Sequence, residues 1–235
     1  MSRYLISDIH GDFSRFKNLL KKTNFNYEND IMYILGDALD RGKENLALID
    51  FIQNNANIFL IKGNHELFAQ MYLSGQLDRE QWIAWGGEHT ADEVDALNDK
   101  DKKLLNEFLL NLDYYFEIDV DGERWILTHS GLDADCLVLS DGKVKVKESI
   151  EKAIEENEFK YLVSNDIHYL PYSKTKILDH FMVVGHTPVM RLNEDGSYRI
   201  IHRDRFMCID SGAGHRKQGG KMSCYCIETA DEFYL

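Results

Sequence analysis

Five times along this chain a short apolar run stops and a small cluster of polar residues, flanked by glycine, begins. Residues 4–7 lead into Asp8-Ile9-His10-Gly11-Asp12, and residues 31–35 into Gly36-Asp37-Ala38-Leu39-Asp40-Arg41-Gly42. Residues 58–61 lead into Gly63-Asn64-His65-Glu66, residues 124–128 into His129-Ser130-Gly131, and residues 181–184 into Gly185-His186-Thr187-Pro188. Runs of this length and composition read as buried strands. Between the first three, Phe13, Phe16, Leu19 and Leu20 recur at helical spacing, as do Leu46, Ile49 and Ile52, and residues 66–74 read as a third helix. Strand and helix alternating three times predicts parallel strands, because such neighbours need a long crossover. Sheets of this kind bind ligands beyond the carboxyl ends of their strands, where all these polar clusters fall.

The remainder is less regular. Residues 81–87 read as an aromatic loop around Trp82 and Trp85, more apt for packing than for stacking a substrate, and residues 101–112 as a helix on the spacing of Leu104, Leu105, Phe108 and Leu109. Asp121-Gly122 between two β-prone runs predicts a hairpin. A charged helix over 147–160 and a looser segment to Pro171 follow, and four runs after residue 197 read as antiparallel strands. No repeat, low-complexity tract or linker divides the chain, so a single domain over 1–235 is expected.

A net charge of −13 argues against a nucleic-acid backbone or an anionic membrane as the main partner. No stretch approaches eighteen apolar residues and the first residues lack a signal-peptide pattern, so a cytoplasmic protein is expected. Cys136, Cys208, Cys224 and Cys226 lack the paired spacing of a zinc site. Cys224 and Cys226 alternate in a β-prone run and should share a core-facing side, which suits a reducing compartment.

Asp8 and His10 are two apart, so on an extended strand end both can grip one ion. Asp37 can bridge two ions through its two oxygens, and Asn64, His129 and His186 can hold the second. This mixture of imidazole, carboxylate and amide suits manganese, iron or zinc better than calcium. Two such ions about 3.5–4 Å apart share a water, make it a nucleophile at neutral pH and neutralise phosphate oxygens. Each cluster alone has a plainer reading, as a turn, a cap or a helix opening. Their joint occurrence makes the case.

Together the five clusters resemble the calcineurin-like metallophosphoesterase superfamily, and within it the phosphoprotein-phosphatase branch of bacterial and phage serine/threonine phosphatases and symmetrical dinucleoside tetraphosphatases. The resemblance implies an α+β fold in four layers, a central β-sandwich flanked by helices with a dimetal site at the strand ends. It implies that Asp8, His10 and Asp37 bind one divalent ion, and Asp37, Asn64, His129 and His186 the other, with manganese the first expectation. His65 would be the general acid oriented by Asp40, and Arg41 would clamp the phosphate, with Asn64 and His65 also facing substrate. One departure stands out. The branch carries a second phosphate-binding arginine where this chain has Asn165, and Lys174 or Lys176 would be the nearest substitutes.

The expected activity is metal-dependent hydrolysis of phosphomonoesters, first of all phosphoserine or phosphothreonine in proteins, by direct attack of the water shared by the ions. Symmetrical hydrolysis of a bis(5′-nucleosyl) tetraphosphate is the alternative enzyme reading. A non-catalytic binding module on the same fold is the alternative from another class. His89, His168, His180, His202 and His215 lie outside the clusters and are expected to make solvent or core hydrogen bonds.

Overall fold

The computed structural model describes residues 1–164 and 167–235, so Asn165 lies outside the described residues. In chain order its elements are β1 (Arg3–Ile6), α1 (Phe13–Lys22), β2 (Ile31–Ile34), α2 (Asn45–Gln53), β3 (Ile58–Leu60) and α3 (Asn64–Leu73). Then come α4 (Arg79–Ala84), α5 (Glu88–Asp95), α6 (Asp99–Leu110), β4 (Tyr115–Val120) and β5 (Glu123–Thr128). A small ribbon, β6 (Leu139–Ser140) and β7 (Lys143–Val144), precedes α7 (Val146–Ser164) and α8 (Tyr172–Thr175). The chain closes with β8 (Phe181–Val184), β9 (Ile201–His202), β10 (Phe206–Cys208), β11 (Ser223–Cys226) and β12 (Glu232–Tyr234).

Two five-stranded sheets carry the architecture, ordered β12-β11-β1-β2-β3 and β4-β5-β8-β10-β9. Side-chain alternation explains how they stack. Leu5, Leu35, Leu127, Val183, Met207 and Tyr225 point between the sheets and form one core. Their neighbours Tyr4, Ile6, Met32, Ile34, Cys224 and Cys226 point outward under α1, α2 and the helices that follow α3. Ile126, Met182, Val184 and Cys208 point outward on the other sheet, under α7 and the segment after it. The result is helices, sheet, sheet, helices: the α+β sandwich expected, with both cysteines of β11 buried as expected.

Local sequence accounts for most of these elements. In α1, Phe16, Leu19 and Leu20 bury one stripe, Asp12 caps the start by accepting from Arg15 N, and Lys21 and Lys22 favour the negative end. The parallel pairs β1–β2 and β2–β3 sit in the register the alternation requires, Leu5 opposite Tyr33 and Tyr33 opposite Phe59.

Four expectations change. Residues 81–87 are a loop only from Trp85 to Gly87: Arg79–Ala84 is helical, because Asp78 caps it through Gln81 N and Trp82 is fully buried beneath it. The third helix begins at Asn64 rather than Glu66, so Asn64 and His65 occupy its first turn. The charged helix starts at Val146 and breaks at Asn157 (φ −166°), whose side chain accepts from Lys160 N and so caps the second segment. Among the final strands, β10 pairs antiparallel with β9 but parallel with β8, which aims Asp210 at the same edge as His186. No helix among the described residues is long and apolar enough to cross a membrane.

Candidate metal centre and phosphate site

The carboxyl ends of β1, β2, β5, β8 and β10 meet at one edge of the sandwich, together with the start of α3. The first three loops are tied to each other through backbone and one buried carboxylate. Ile9 N and His10 N donate to Asp37 O (3.0 and 2.9 Å), and Gly11 N donates to Ala38 O (2.7 Å). Glu66, fully buried at the third position of α3, accepts from the backbone N–H groups of Asp37, Ala38, Leu39 and Gly63 at 2.8–3.1 Å. One side chain thus satisfies four amides that no strand or helix partner reaches.

This lacing holds the backbone in a conformation that side chains ordinarily avoid. His10, Asp37, Asp40, Arg41 and His186 have φ between 51° and 73°, five of the nine non-glycine residues with positive φ in the described chain. Each costs on the order of 1–2 kcal/mol, and such strain collects at sites that need fixed geometry. Gly63 is required here for a different reason: a Cβ on it would sit 2.3 Å from Asp37 Oδ1.

The structure brings together all six residues expected to bind metal. Asp37 is central: its Oδ2 faces His10 Nε2 at 3.9 Å and its Oδ1 faces His129 Nε2 at 3.4 Å. Asp8 Oδ1 lies 3.8 Å from His10 Nε2. On the other side of Asp37, His129 Nε2, His186 Nδ1 and Asn64 Oδ1 form a triangle with edges of 3.0–3.1 Å. Donors about 2.1 Å from one ion lie about 3 Å apart when adjacent in an octahedral shell and about 4.2 Å apart when opposite. Both sets fall in that span.

The other ring nitrogens are occupied, which fixes what faces inward. His10 Nδ1 pairs with Leu39 O (3.0 Å), His129 Nδ1 with Leu35 O (2.8 Å) and His186 Nε2 with Val163 O (3.2 Å). Burial, then the proximity of His186, pushes His129 down to about 3, and burial, Arg41 and His65 push His10 well below its ordinary value. Both rings are therefore neutral, with a lone pair available. Burial, reinforced by Asp8 and Glu66, raises Asp37 well above the carboxylate range. A buried carboxyl in that setting is short of positive charge, which a divalent cation held by these residues would supply. The residues present therefore fit a pair of metal ions.

Beside this centre, His65 Nδ1 meets Asp40 Oδ2 at 2.6 Å and its Nε2 meets Arg41 Nη2 at 3.1 Å. His65 Nε2 is also 3.8 Å from Asp37 Oδ2, so by proximity alone it joins His10 and Asp37 as a donor group. The guanidinium on that nitrogen makes it a poor cation ligand and leaves Asp8 the better third donor.

Several participants escaped the sequence reading. Asp40 accepts from the Trp82 indole N–H (2.9 Å) and the Thr90 hydroxyl (2.5 Å), neither of which is near it in sequence. Trp82 packs, as expected, but it also holds the partner of His65. Asp210, at the end of β10, is buried and raised by that burial and by Asp8, with Arg41 and Arg191 opposing. Its signal was available, since Asp210-Ser211-Gly212 follows an apolar run as the five clusters do. His215 lies half-buried near Arg41 and Arg191, both of which help lower it after burial itself. Lys176 instead lines a separate 290 Å³ cavity with His168 and Arg203.

A β-sandwich between helical layers with two abutting donor sets at its edge, sharing one aspartate, is the arrangement of a metal-binding hydrolase. The chain belongs to the calcineurin-like phosphoesterase family, which it matches over residues 1–190. Among curated relatives it is 32% identical over 173 residues to the symmetrical bis(5′-nucleosyl)-tetraphosphatase of Wigglesworthia glossinidia brevipalpis, covering 71% of this chain and 59% of the relative. It is 28% identical over 130 residues to serine/threonine-protein phosphatase 2 of Salmonella typhimurium, covering 54% and 57%. The chain thus spans less than two thirds of the length of these relatives. A protein serine/threonine phosphatase from Saccharomyces cerevisiae shares the fold, with a TM-score of 0.59 at 16% identity over 96% of this chain and 72% of that one.

Proposed function

We propose that the protein hydrolyses a phosphoanhydride in a small nucleotide, with a symmetrical dinucleoside tetraphosphate as the substrate. The sharing of Asp37 between two donor sets, beside a His65–Asp40 pair, is the observation that carries the hydrolytic reading. Bound there by Asp8, His10, Asp37, Asn64, His129 and His186, two divalent ions would supply a low-pKa water and charge for the phosphoryl oxygens.

The chain's own residues do the rest. Arg41, free of any carboxylate partner among the described residues, swings from His65 Nε2 onto the phosphoryl oxygens and neutralises the charge that grows there. Asp40, itself held by Trp82 and Thr90, keeps the proton of His65 on Nδ1 and fixes the ring, so that Nε2 delivers a second proton to the departing oxygen. Water adds to one central phosphorus, the P–O bond to the bridging oxygen breaks, and two nucleoside diphosphates leave.

The name carried by the Wigglesworthia relative favours this substrate over the phosphoserine and phosphothreonine that the sequence alone put first. The protein-phosphatase reading stays second, supported by the Salmonella relative. The test is chromatography of diadenosine tetraphosphate digests with manganese, for wild type and His65→Asn. Two molecules of ADP per substrate and at least a hundredfold slower His65→Asn are expected. Equal rates, an AMP and ATP product pair, or faster turnover of a phosphopeptide would reject it.

A further inference from the structure

A cavity of 660 Å³ opens from Arg41, on the face of His10 that the helical strap Ala213–Gln218 covers. Its walls carry Arg41, Lys43, Arg216 and Lys217, with His89 and His215, against only two carboxylates, Asp12 and Glu44. In a protein of net charge −13 that balance is the reverse of the average surface.

Both carboxylates are already engaged. Asp12 accepts from Arg15 N and pairs with Arg216 at 2.8 Å. Glu44 accepts from the backbone and hydroxyl of Ser14 at 2.9 and 2.8 Å. Lys43 and Lys217 are exposed and have no ion-pair partner among the described residues. Unpaired cations around a concave surface concentrate field there and select multiply charged anions. The strap is also fitted to the site: a Cβ on Gly214 would lie 2.5 Å from both Arg41 Nη1 and His10 Cδ2. The cavity is therefore continuous with the groups beside the metal centre.

We infer that this cavity is a subsite for an oligophosphate chain, holding the phosphates beyond the one attacked, with Lys43 and Lys217 as its specificity-determining cations. The inference deepens the nucleotide reading above and rests on it for the position of the attacked phosphorus. It also assigns a place to the charge that a tetraphosphate carries and a phosphomonoester lacks. An acidic phosphopeptide could present similar charge, but with wider and irregular spacing that suits a compact cavity less well.

Binding without turnover separates the two ideas. Calorimetry in EDTA would compare inorganic tripolyphosphate with orthophosphate, for wild type, for the double variant Lys43→Glu/Lys217→Glu, and for Lys100→Glu, an exposed charge reversal on α6. Wild type should prefer tripolyphosphate at least tenfold, the double variant should lose that preference, and Lys100→Glu should keep it. No preference in wild type, its survival in the double variant, or equal loss in Lys100→Glu would overturn the inference. So would a double variant that loses an acidic phosphopeptide more than it loses tripolyphosphate. If the preference holds while manganese-loaded protein turns over no substrate, the hydrolytic reading fails and the anion subsite stands.

Discussion

The two sheets contribute to the metal centre in different ways. The loops after β1, β2 and β3 are laced together by backbone hydrogen bonds and by the four-fold grip of Glu66, contacts made within the protein alone. The other sheet supplies His129 and His186, each ring anchored by one backbone carbonyl, and the carbonyl that holds His129 belongs to Leu35 of the first sheet. Positive-φ strain follows the same division: four of the five strained site residues lie in the first sheet's loops. One half of the centre is preorganised by many bonds, whereas the other leans on it. Redundant support of that kind keeps a ligand within the few tenths of an ångström that metal chemistry demands.

Asp37→Asn strikes at the point where the halves meet and should have the largest effect. Disturbing an outer-shell partner costs about 10–100-fold, so losing the shared ligand should lower kcat/KM by more than about 10³-fold. Steady-state assays and metal analysis would check it. His129→Ala, on the adaptable side, should be partly rescued by excess manganese where Asp37→Asn is not. Equal rescue would erase the contrast between the halves.

Glu66→Ala leaves four buried N–H groups without an acceptor. With each unsatisfied group costing about 1–3 kcal/mol, a loss of at least about 4 kcal/mol is expected, or roughly 8–16 °C in Tm for a chain of this size. Thermal unfolding of the metal-free protein reads it directly. A variant as stable as wild type would show that the lacing is dispensable.

Trp82→Phe removes the indole N–H on Asp40 Oδ2 while keeping an aromatic ring in the buried slot. Losing a hydrogen bond to a charged group should lower kcat about tenfold, with KM little changed and the basic limb of the pH–rate profile, set by the general acid, displaced. A uniform fall in activity with no change in the profile would make Trp82 a packing residue alone.

The smallest effect is on pH and stability. Burial, with other carboxylates nearby, raises Asp37 and Asp210 in the metal-free fold above their unfolded values of about 4. Between those values the folded protein binds more protons than the unfolded one, so stability falls as pH rises. His10, His129 and His215, lowered by burial, work in the opposite direction, so the carboxyl contribution is read as a difference between proteins. Metal-free Asp210→Asn should gain Tm relative to metal-free wild type as pH climbs out of the acid range, and a Tm difference that stays constant across that window would contradict the raised carboxyl.

Much of this was readable from residues alone. The apolar runs around Leu5, Leu35, Leu127 and Val183 announced buried strands, and the polar clusters at their ends held the six residues that the fold brings to one edge. Trp82 and Thr90 were not readable as partners of Asp40, because contact across 42 and 50 residues leaves no local pattern. The helix around Trp82 was also hidden: an Asp78 cap and a buried indole decide it, and flanking glycines masked both. Asp210 was overlooked because the last strands read as antiparallel. Parallel pairing with β8 is a tertiary outcome.

Local chemistry, then, was written in the chain: which segments extend, which coil, and which atoms a strand end offers to a cation. What only folding settled is convergence. Hydrogen-bond registry between distant strands, the reach of Glu66 across two loops and the closing of Gly214 onto His10 depend on long-range packing, which no short window of sequence encodes.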